Sequence, residues 1–391
     1  MARTRVGIWG VFGHGNYGNE ATLTALLRRL GGTGISPVIL TEEPETAARL
    51  HGVPARRVGV PAETSSRRWG RLTARMTNRA GFLRRAFGIV GSLDSVVIAG
   101  SGALEHPYAF GFPFEVWSLS LAAKLLRRPF VILNVGVDHA ERRLTRWMIR
   151  RSGSNASYRS YRDTRSQEAM RRNGLRRAAQ DPVVTDLAFD LTPPLAEQRD
   201  RNHVLVGIID YWGANERSPQ SVHDSYVARC AELIALLRAD GHRVTIVVGD
   251  DCDRPTAREI TDRVDDPGVA ISPASTVDDL VGLMSQCGLV IASRYHTLIM
   301  AQMANTPSLS IGYTEKHLAM LRQLGVPAVH RDAAAFDPGE MRDLVRTALE
   351  EDSDGSNSAK VERGVALARE RLAEQWPTAL AAIAPERGRR P

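Results

Sequence analysis

Short β-branched and aliphatic runs alternate along the chain with stretches whose apolar residues recur at helical spacing, the pattern of a parallel α/β protein. In the first half, residues 5–11, 37–41, 95–99, 130–135 and the shorter run 182–185 read as strands; in the second half, 204–209, 244–248, 289–292 and 308–311 do. Residues 187–202 carry Pro193 and Pro194 among several charges, which predicts a linker and a domain boundary. A second breaker at 352–358 precedes a helix over about 360–375, placed to reach back across the first domain. The expected architecture is two wound domains, 1–190 and 201–350, followed by a C-terminal helix and basic tail at 358–391. No internal repeat of fixed period is present.

Composition narrows the class. The 391 residues, 43% hydrophobic and 24% charged, suit two packed domains better than one and are too apolar for a disordered chain. No run reaches the roughly 18–20 apolar residues of a membrane span, and the N-terminus enters a strand-like segment rather than a charged-then-apolar leader. A soluble, cytoplasmic protein is expected. Cys230, Cys252 and Cys287 are odd in number and not closely paired, and no Cys/His cluster has zinc-ligand spacing. Neither a disulfide framework, nor a metal, nor a resident cofactor is expected.

Charge is lopsided. Only Lys124, Lys316 and Lys360 are lysine, so 48 of the 51 basic residues are arginine. Residues 1–200 carry net +13 and residues 201–391 net −6. Such asymmetry bears on partners rather than fold. It fits a basic first domain that meets anionic material, although arginine bias also arises from genomic composition alone. A nucleic-acid binder is disfavoured, because the arginines are not interleaved with aromatic platforms and no groove-reading motif is present.

Open α/β sheets bind ligands beyond the carboxyl ends of their strands, so the loops there are the places to look for chemistry. After the first strand runs Gly10 to Glu20, with Gly15, Asn16, Gly18, Asn19 and Glu20 leading into a helix over 21–30. It offers backbone N–H groups and a helix N-terminus to an anion, or it is a purely structural turn with Glu20 facing the helix dipole. After 95–99 come Gly100, Ser101 and Gly102, with Glu105 and His106 beyond, a second wall for a crevice or simply close packing. Arg162 and Asp163 precede a helix in which Asp163 and Ser166 have capping chemistry. Taken alone, Arg162 reads as structural.

The most specific segment is Ser293, Arg294, Tyr295 and His296, directly after the strand at 289–292. Ser293 is expected to N-cap a helix whose first turn holds Arg294 and His296, so that a guanidinium, an imidazole and free N–H groups converge. Lys316 follows the next strand. His317, Asp250 and Asp251 are better explained as capping or solvated groups.

In combination these residues resemble the polysaccharide pyruvyl transferases. The family's G-N-x-G-D-E loop appears as Gly15-Asn16-Tyr17-Gly18-Asn19-Glu20, and its R-D-x-x-S helix start as Arg162-Asp163-Thr164-Arg165-Ser166. Its S-R-x-H segment appears as Ser293-Arg294-Tyr295-His296, its Y-x-x-K as Tyr313-Thr314-Glu315-Lys316, and its D-x-A-F as Asp186-Leu187-Ala188-Phe189. Asn19 departs from the family, which usually has Asp there. The resemblance implies two Rossmann-like domains facing across a cleft, as in GT-B glycosyltransferases, and phosphoenolpyruvate as co-substrate. By motif, Arg162, Arg294 and His296 would form the catalytic and donor-binding group, joined by Ser293. Lys316 is added to the donor site by inference, while Gly15, Asn16, Asn19, Glu20, Ser101 and Gly102 would line the acceptor or cleft loops.

The implied activity is formation of a pyruvate ketal on a sugar or glycan, with phosphate released. A planar guanidinium suits the donor's carboxylate and phosphate, and an imidazole suits proton transfer. The acceptor is open. Residues 67–93 hold seven arginines and no acid, with Trp69, Leu72, Met76, Leu83 and Phe87 near helical spacing. Such a helix either lies on an anionic membrane surface, which would suit a lipid-linked saccharide, or packs its apolar side on the sheet. Two alternatives stand beside this reading: a nucleotide-sugar glycosyltransferase of the same architecture, and a pyruvyl transferase-like enzyme acting on a small molecule.

Overall fold

The computed structural model describes residues 3–58, 68–100, 102–105, 111–213 and 218–385. The chain divides into two compact units. The first comprises Met1–His14, Asn19–Ala188 and Glu370–Pro391, and the second Gly15–Gly18 and Phe189–Arg369.

In the first unit the strands are β1 (Thr4–Trp9), β2 (Ile35–Thr41), β3 (Ala55–Arg57), β4 (Ser95–Ala99), β5 (Phe130–Val135) and β6 (Tyr158–Tyr161). They form one sheet in the order β3-β2-β1-β4-β5-β6, every described pairing parallel. This is the dinucleotide-fold order, and its direction reverses between β1 and β4. Every residue of β4 and β5 is buried, which is why both read as largely apolar runs, with Ser95 and Asn134 the polar exceptions. Helices α1 (Tyr17–Leu30), α2 (Pro44–His51), α3 (Arg68–Gly91), α4 (Phe112–Leu125), α5 (Arg143–Asn155) and α6 (Thr164–Arg172) connect them. Core residues Phe82, Ala86 and Val90 of α3 pack with Leu93, Val96 and Ile98, so the described side chains of that helix follow the packed alternative. Trp69, Leu72 and Met76 lie outside the described side chains.

The second unit repeats the topology. Its strands are β7 (Asp200–Ile208), β8 (Arg243–Val248), β9 (Ala270–Ile271), β10 (Cys287–Ala292), β11 (Ser308–Gly312) and β12 (His330–Asp332), in the order β12-β11-β10-β7-β8-β9. The reversal falls between β7 and β10. Helices α7 (Pro219–Ala239), α8 (Arg254–Val264), α9 (Val277–Ser285), α10 (Tyr295–Met303), α11 (Lys316–Leu324) and α12 (Pro338–Glu351) complete the α/β layers. Val204, Val206, Leu233, Ile234 and Leu237 are central to its core. Last comes α13 (Ser356–Ile383), with Pro377 inside it. Its residues to Arg369 belong to the second unit and those from Glu370 to the first, so the chain returns as expected.

Two local expectations fail. Residues 182–185 are not a strand: Val183 makes a single bridge to Tyr161, and the sixth strand is the more polar Tyr158–Tyr161. The edge strands β3, β9 and β12, of two or three residues each, carry no pattern long enough to read. Helix α1 also begins at Tyr17, within the glycine loop, instead of at residue 21.

Candidate active site

The candidate residues follow the carboxyl ends of strands, Arg162 after β6 in the first unit and Asp253, Arg294 and Lys316 after β8, β10 and β11 in the second. In the second unit, β10 delivers Ser293 and Arg294. Ser293 does not cap α10: its hydroxyl is buried and donates to the Gly207 carbonyl at 2.6 Å, tying the end of β10 to β7. Arg294 occupies the cap position in extended conformation, and Tyr295 and His296 open the helix. The expected N-cap fails because Ser293 is still held by the sheet.

Arg294 is gripped at two points by Asp253, whose carboxylate is fully buried. Nη2 donates to Oδ1 at 2.7 Å and Nε donates to Oδ2. Nη2 also lies 3.0 Å from Cys252 Sγ, while Nη1 makes a looser approach, 3.5 Å, to Asp250 Oδ2. Burial opposes the guanidinium charge, but the hydrogen bonds and charge of Asp253 outweigh it and hold the pKa above its ordinary value. One edge of the guanidinium is thus fixed by Asp253, while Nη1 is held more loosely, by Asp250.

Residues Gly15–Gly18 complete this side. Asn16 Nδ2 donates to Asp250 Oδ2 at 2.7 Å, Tyr17 N–H donates to Gly249 O at 3.1 Å, and Asp251 N–H donates to Gly15 O at 3.1 Å. The His296 ring lies so close to Gly18 that a Cβ there would sit 2.0 Å from its Cγ. Only glycine leaves room for the imidazole at this point. Asn16, Gly18, Arg294 and His296 are therefore gathered on one face, with Asp250 between Asn16 and Arg294. Tyr17 receives a hydrogen bond from Arg254 Nη2 at 2.8 Å; burial and, after it, the charge of Asp251 raise its pKa.

Lys316 opens α11, and its Nζ stands 5.6 Å from the ring centres of both Tyr295 and Tyr313. Tyr295 thus lies beside both His296 and Lys316, its ring edge-on to the imidazole at 5.4 Å. Of the residues set aside from sequence, Asp250 does cap, accepting from Cys252 N–H at 3.2 Å, and Asp251 is an exposed partner of Arg254. His317 is neither capping nor solvated. It is buried, with Nδ1 2.5 Å from Ser310 Oγ, which also lies 3.0 Å from His330 Nδ1.

In the first unit, Arg162 is 2% exposed and surrounded by acids: it pairs with Glu105, and lies 3.5 Å from Asp163 and 3.7 Å from Asp186. Asp163 caps α6 as expected, accepting from Ser166 N–H at 2.6 Å. A Cβ on Gly136 would fall 2.3 Å from Glu105 Oε1 and 2.6 Å from Arg162 Nη2, so the pair needs glycine opposite it. Gly102 stands over the same carboxylate and accepts from Glu105 N–H at 2.9 Å. Ser101 and His106 lie outside the described residues.

Glu20 binds within the fold: Oε1 accepts from Gly13 N–H at 2.7 Å and Oε2 meets His51 Nε2 at 2.6 Å. Asn19 Nδ2 donates to Val11 O at 3.1 Å, a bond that an aspartate carboxylate could not donate. Replacement of the usual acid thus leaves the loop tied to the end of β1.

Sequence reading missed Asp253 and Glu115. Asp253 ends a Gly-Asp-Asp-Cys-Asp run immediately after β8, a strand-end signal that was legible. Glu115 sits in the first turn of α4 and lines a small pocket with Trp9, His14 and Glu42; it has no sequence signature. Burial first, and then the Glu42 charge, push its carboxyl up to about 7, against a hydrogen bond with Trp9. Among the described residues no group of three or more His, Cys, Asp or Glu is arranged to hold a metal ion, and no helix is long and apolar enough to cross a membrane.

No curated protein sequence matches the chain. Solved structures match along nearly its whole length. UDP-GlcNAc 2-epimerase from Methanocaldococcus jannaschii aligns with TM-score 0.61 and 11% identity, over 96% of this chain and 99% of that one. The Neisseria meningitidis UDP-GlcNAc 2-epimerase bound to UDP-GlcNAc gives 0.56 and 12%, over 95% and 100%. CalG4, the calicheamicin glycosyltransferase, gives 0.56 and 14%, over 98% and 100%. At such identities they establish the fold, two Rossmann-like domains of the GT-B type. The family model for polysaccharide pyruvyl transferase matches residues 16–315, from Asn16 through Arg162, Arg294 and His296 to the turn before Lys316. The chain belongs to the polysaccharide pyruvyl transferase family.

Proposed function

We propose that this transferase takes a pyruvyl group from phosphoenolpyruvate and fixes it as a ketal on two hydroxyls of a sugar or glycan, releasing phosphate. The observation that carries the reading is the grouping of His296 with Arg294 at the start of α10, the imidazole seated on Gly18 and the guanidinium aligned by Asp253.

In the reaction the donor's methylene carbon gains a proton, and one acceptor hydroxyl bonds to C2. The C2–O bond to phosphate then breaks as the second hydroxyl closes the ketal. The two hydroxyl protons leave, one equivalent going to the methylene carbon and the other to phosphate or solvent. An imidazole can both give and take a proton, so His296 is assigned the proton-moving role. Arg294 presents its Nη1 edge to the donor's phosphate or carboxylate, and Lys316 adds charge nearby. Arg162, enclosed by three carboxylates, acts by holding Glu105 and Asp186 in place.

A phosphate-release assay with phosphoenolpyruvate, across monosaccharide, disaccharide and lipid-linked saccharide acceptors, tests the proposal. Acceptor-dependent phosphate release with a ketal product supports it. The structural likeness to a UDP-GlcNAc-bound epimerase and a glycosyltransferase makes nucleotide sugars the control: nucleotide release, with none of phosphate from phosphoenolpyruvate, overturns it.

A further inference from the structure

Helix α5 has two unlike faces. Thr145, Met148, Ile149, Ser152 and Gly153 are buried in the first unit, while Arg143, Leu144, Trp147, Arg150 and Arg151 are exposed and share the opposite face. Leu144 is 45% exposed and Trp147 38%, on a face where a solvated helix carries polar groups. Trp147 is held outward by its neighbours: its ring packs on Trp117, centroids 5.4 Å apart, and the Arg151 guanidinium stands 5.9 Å from its centre. The charge is one-sided. From Val116 to Arg162 the sequence has ten basic residues and two acids, Asp138 and Glu141, and Asp138 is taken by Arg165 at 2.8 Å. Helices α4 and α5 are successive crossovers of one parallel sheet and so lie on the same side of it. The exposed end of α4 repeats the combination, with Lys124 and Leu125 followed by Leu126 and Arg127.

A face of this composition fits one kind of surface. At a bilayer interface leucine and tryptophan bury apolar surface beneath the headgroups, and arginines meet lipid phosphates while their methylene stems stay in apolar surroundings. A nucleic acid would engage the arginines and leave Leu144 in water. We propose that the exposed face of α5 is a docking surface for an anionic phospholipid bilayer, with Leu144 and Trp147 as the inserted side chains. Thirteen residues with several arginines do not span a bilayer, so the helix lies along it. Of the two arginine-rich helices, α3 turns Phe82, Ala86 and Val90 into the core, whereas α5 turns Leu144 and Trp147 out. Vesicle binding is read without turnover, so the inference stands or falls apart from the reaction proposed above.

The test uses the full chain and co-sedimentation with vesicles of phosphatidylcholine alone or with one phosphatidylglycerol in three, at low and at high salt. Anionic vesicles are expected to bind at least about tenfold more tightly than neutral ones, and high salt to weaken them. Leu144→Glu is expected to weaken binding at least about tenfold, and Arg143→Ser combined with Arg150→Ser to do the same. Leu50→Glu makes an equal charge change at an exposed leucine on α2, and is expected to stay within about twofold of the parent. Spin-labelled lipid is expected to quench tryptophan fluorescence more in the parent than in Trp147→Phe. Failure to bind anionic vesicles, unaltered binding by Leu144→Glu, an equal loss in Leu50→Glu, or equal quenching would each overturn the proposal. So would tighter binding to a DNA duplex than to the vesicles, which would make the face a general polyanion surface. Should Leu144→Glu fail to fold, as read by circular dichroism, the paired arginine variant decides against the Leu50→Glu control.

Discussion

Arg294 and Asp253 form a two-point pair in which the guanidinium's Nε and Nη2 are both given to one fully buried carboxylate. The residue that the family motif marks is thereby aimed by one that the motif omits. Asp253→Asn keeps the shape but loses the charge and one acceptor. Phosphate release is expected to fall by about 10- to 100-fold in kcat/KM, by analogy with other partners that orient reactive groups, with a larger rise in KM for phosphoenolpyruvate than for the acceptor. Steady-state kinetics with each substrate varied in turn check this; unchanged kinetics would show that Arg294 needs no fixed aim.

His296→Ala is expected to keep the fold, since the side chain is only partly enclosed, and to lower turnover by about 10²–10⁴-fold, the range for lost acid–base catalysis. Gly18→Ala should do comparable damage by displacing the imidazole, because its new Cβ would overlap Cγ. The double variant should then be no worse than His296→Ala alone. Circular dichroism of the three variants and a double-mutant cycle on turnover measure it; additive losses would separate the two residues.

The buried carboxyl of Glu115 makes a pH prediction. Its pKa is raised in the fold from 4.5 to about 7, so the folded state favours the protonated form. The stability that protonation brings is fully present below the ordinary carboxylate value and is lost as pH rises through 7. Glu115→Gln should therefore match the parent near pH 4 and exceed it by about 2–3 kcal/mol at pH 8. Urea unfolding at the two pH values tests the sign; a variant less stable at pH 8 would contradict it.

Arg162→Met removes the cation among Glu105, Asp163 and Asp186. Stripping one partner from a buried charge cluster costs about 3–5 kcal/mol. Arg162→Lys, which keeps a cation there, should recover part of the loss. Denaturant midpoints of the two variants decide; an equal loss would mean that the cluster is not held together by charge.

The parts of the molecule that were legible share a physical cause. Strands such as Phe130–Val135 are buried on both faces, so their sequence is almost wholly apolar. Asp163 sits where a helix must begin, and its short side chain reaches the Ser166 N–H. Tyr158–Tyr161 escaped because Tyr158 and Arg159 are polar, answering to Gln375 and Asp181, residues distant along the chain. Ser293 misled for the same reason, since its partner is the Gly207 carbonyl on another strand. In the candidate site, residue types and their strand-end positions could be read, whereas which carboxylate holds which arginine could not. Pairing of that kind depends on burial and direction, which no local spacing encodes.

The last helix constrains how the protein can be made. Gln375 donates to Asn134 Oδ1 at 2.7 Å and to Ser160 Oγ at 2.7 Å, and Ala379 and Ile383 are completely enclosed. The unit begun by the first strand is finished by nearly the last described residues. During synthesis the Phe189–Arg369 region can collapse while the earlier unit still lacks its closing segment, so the part translated first is the last to be completed.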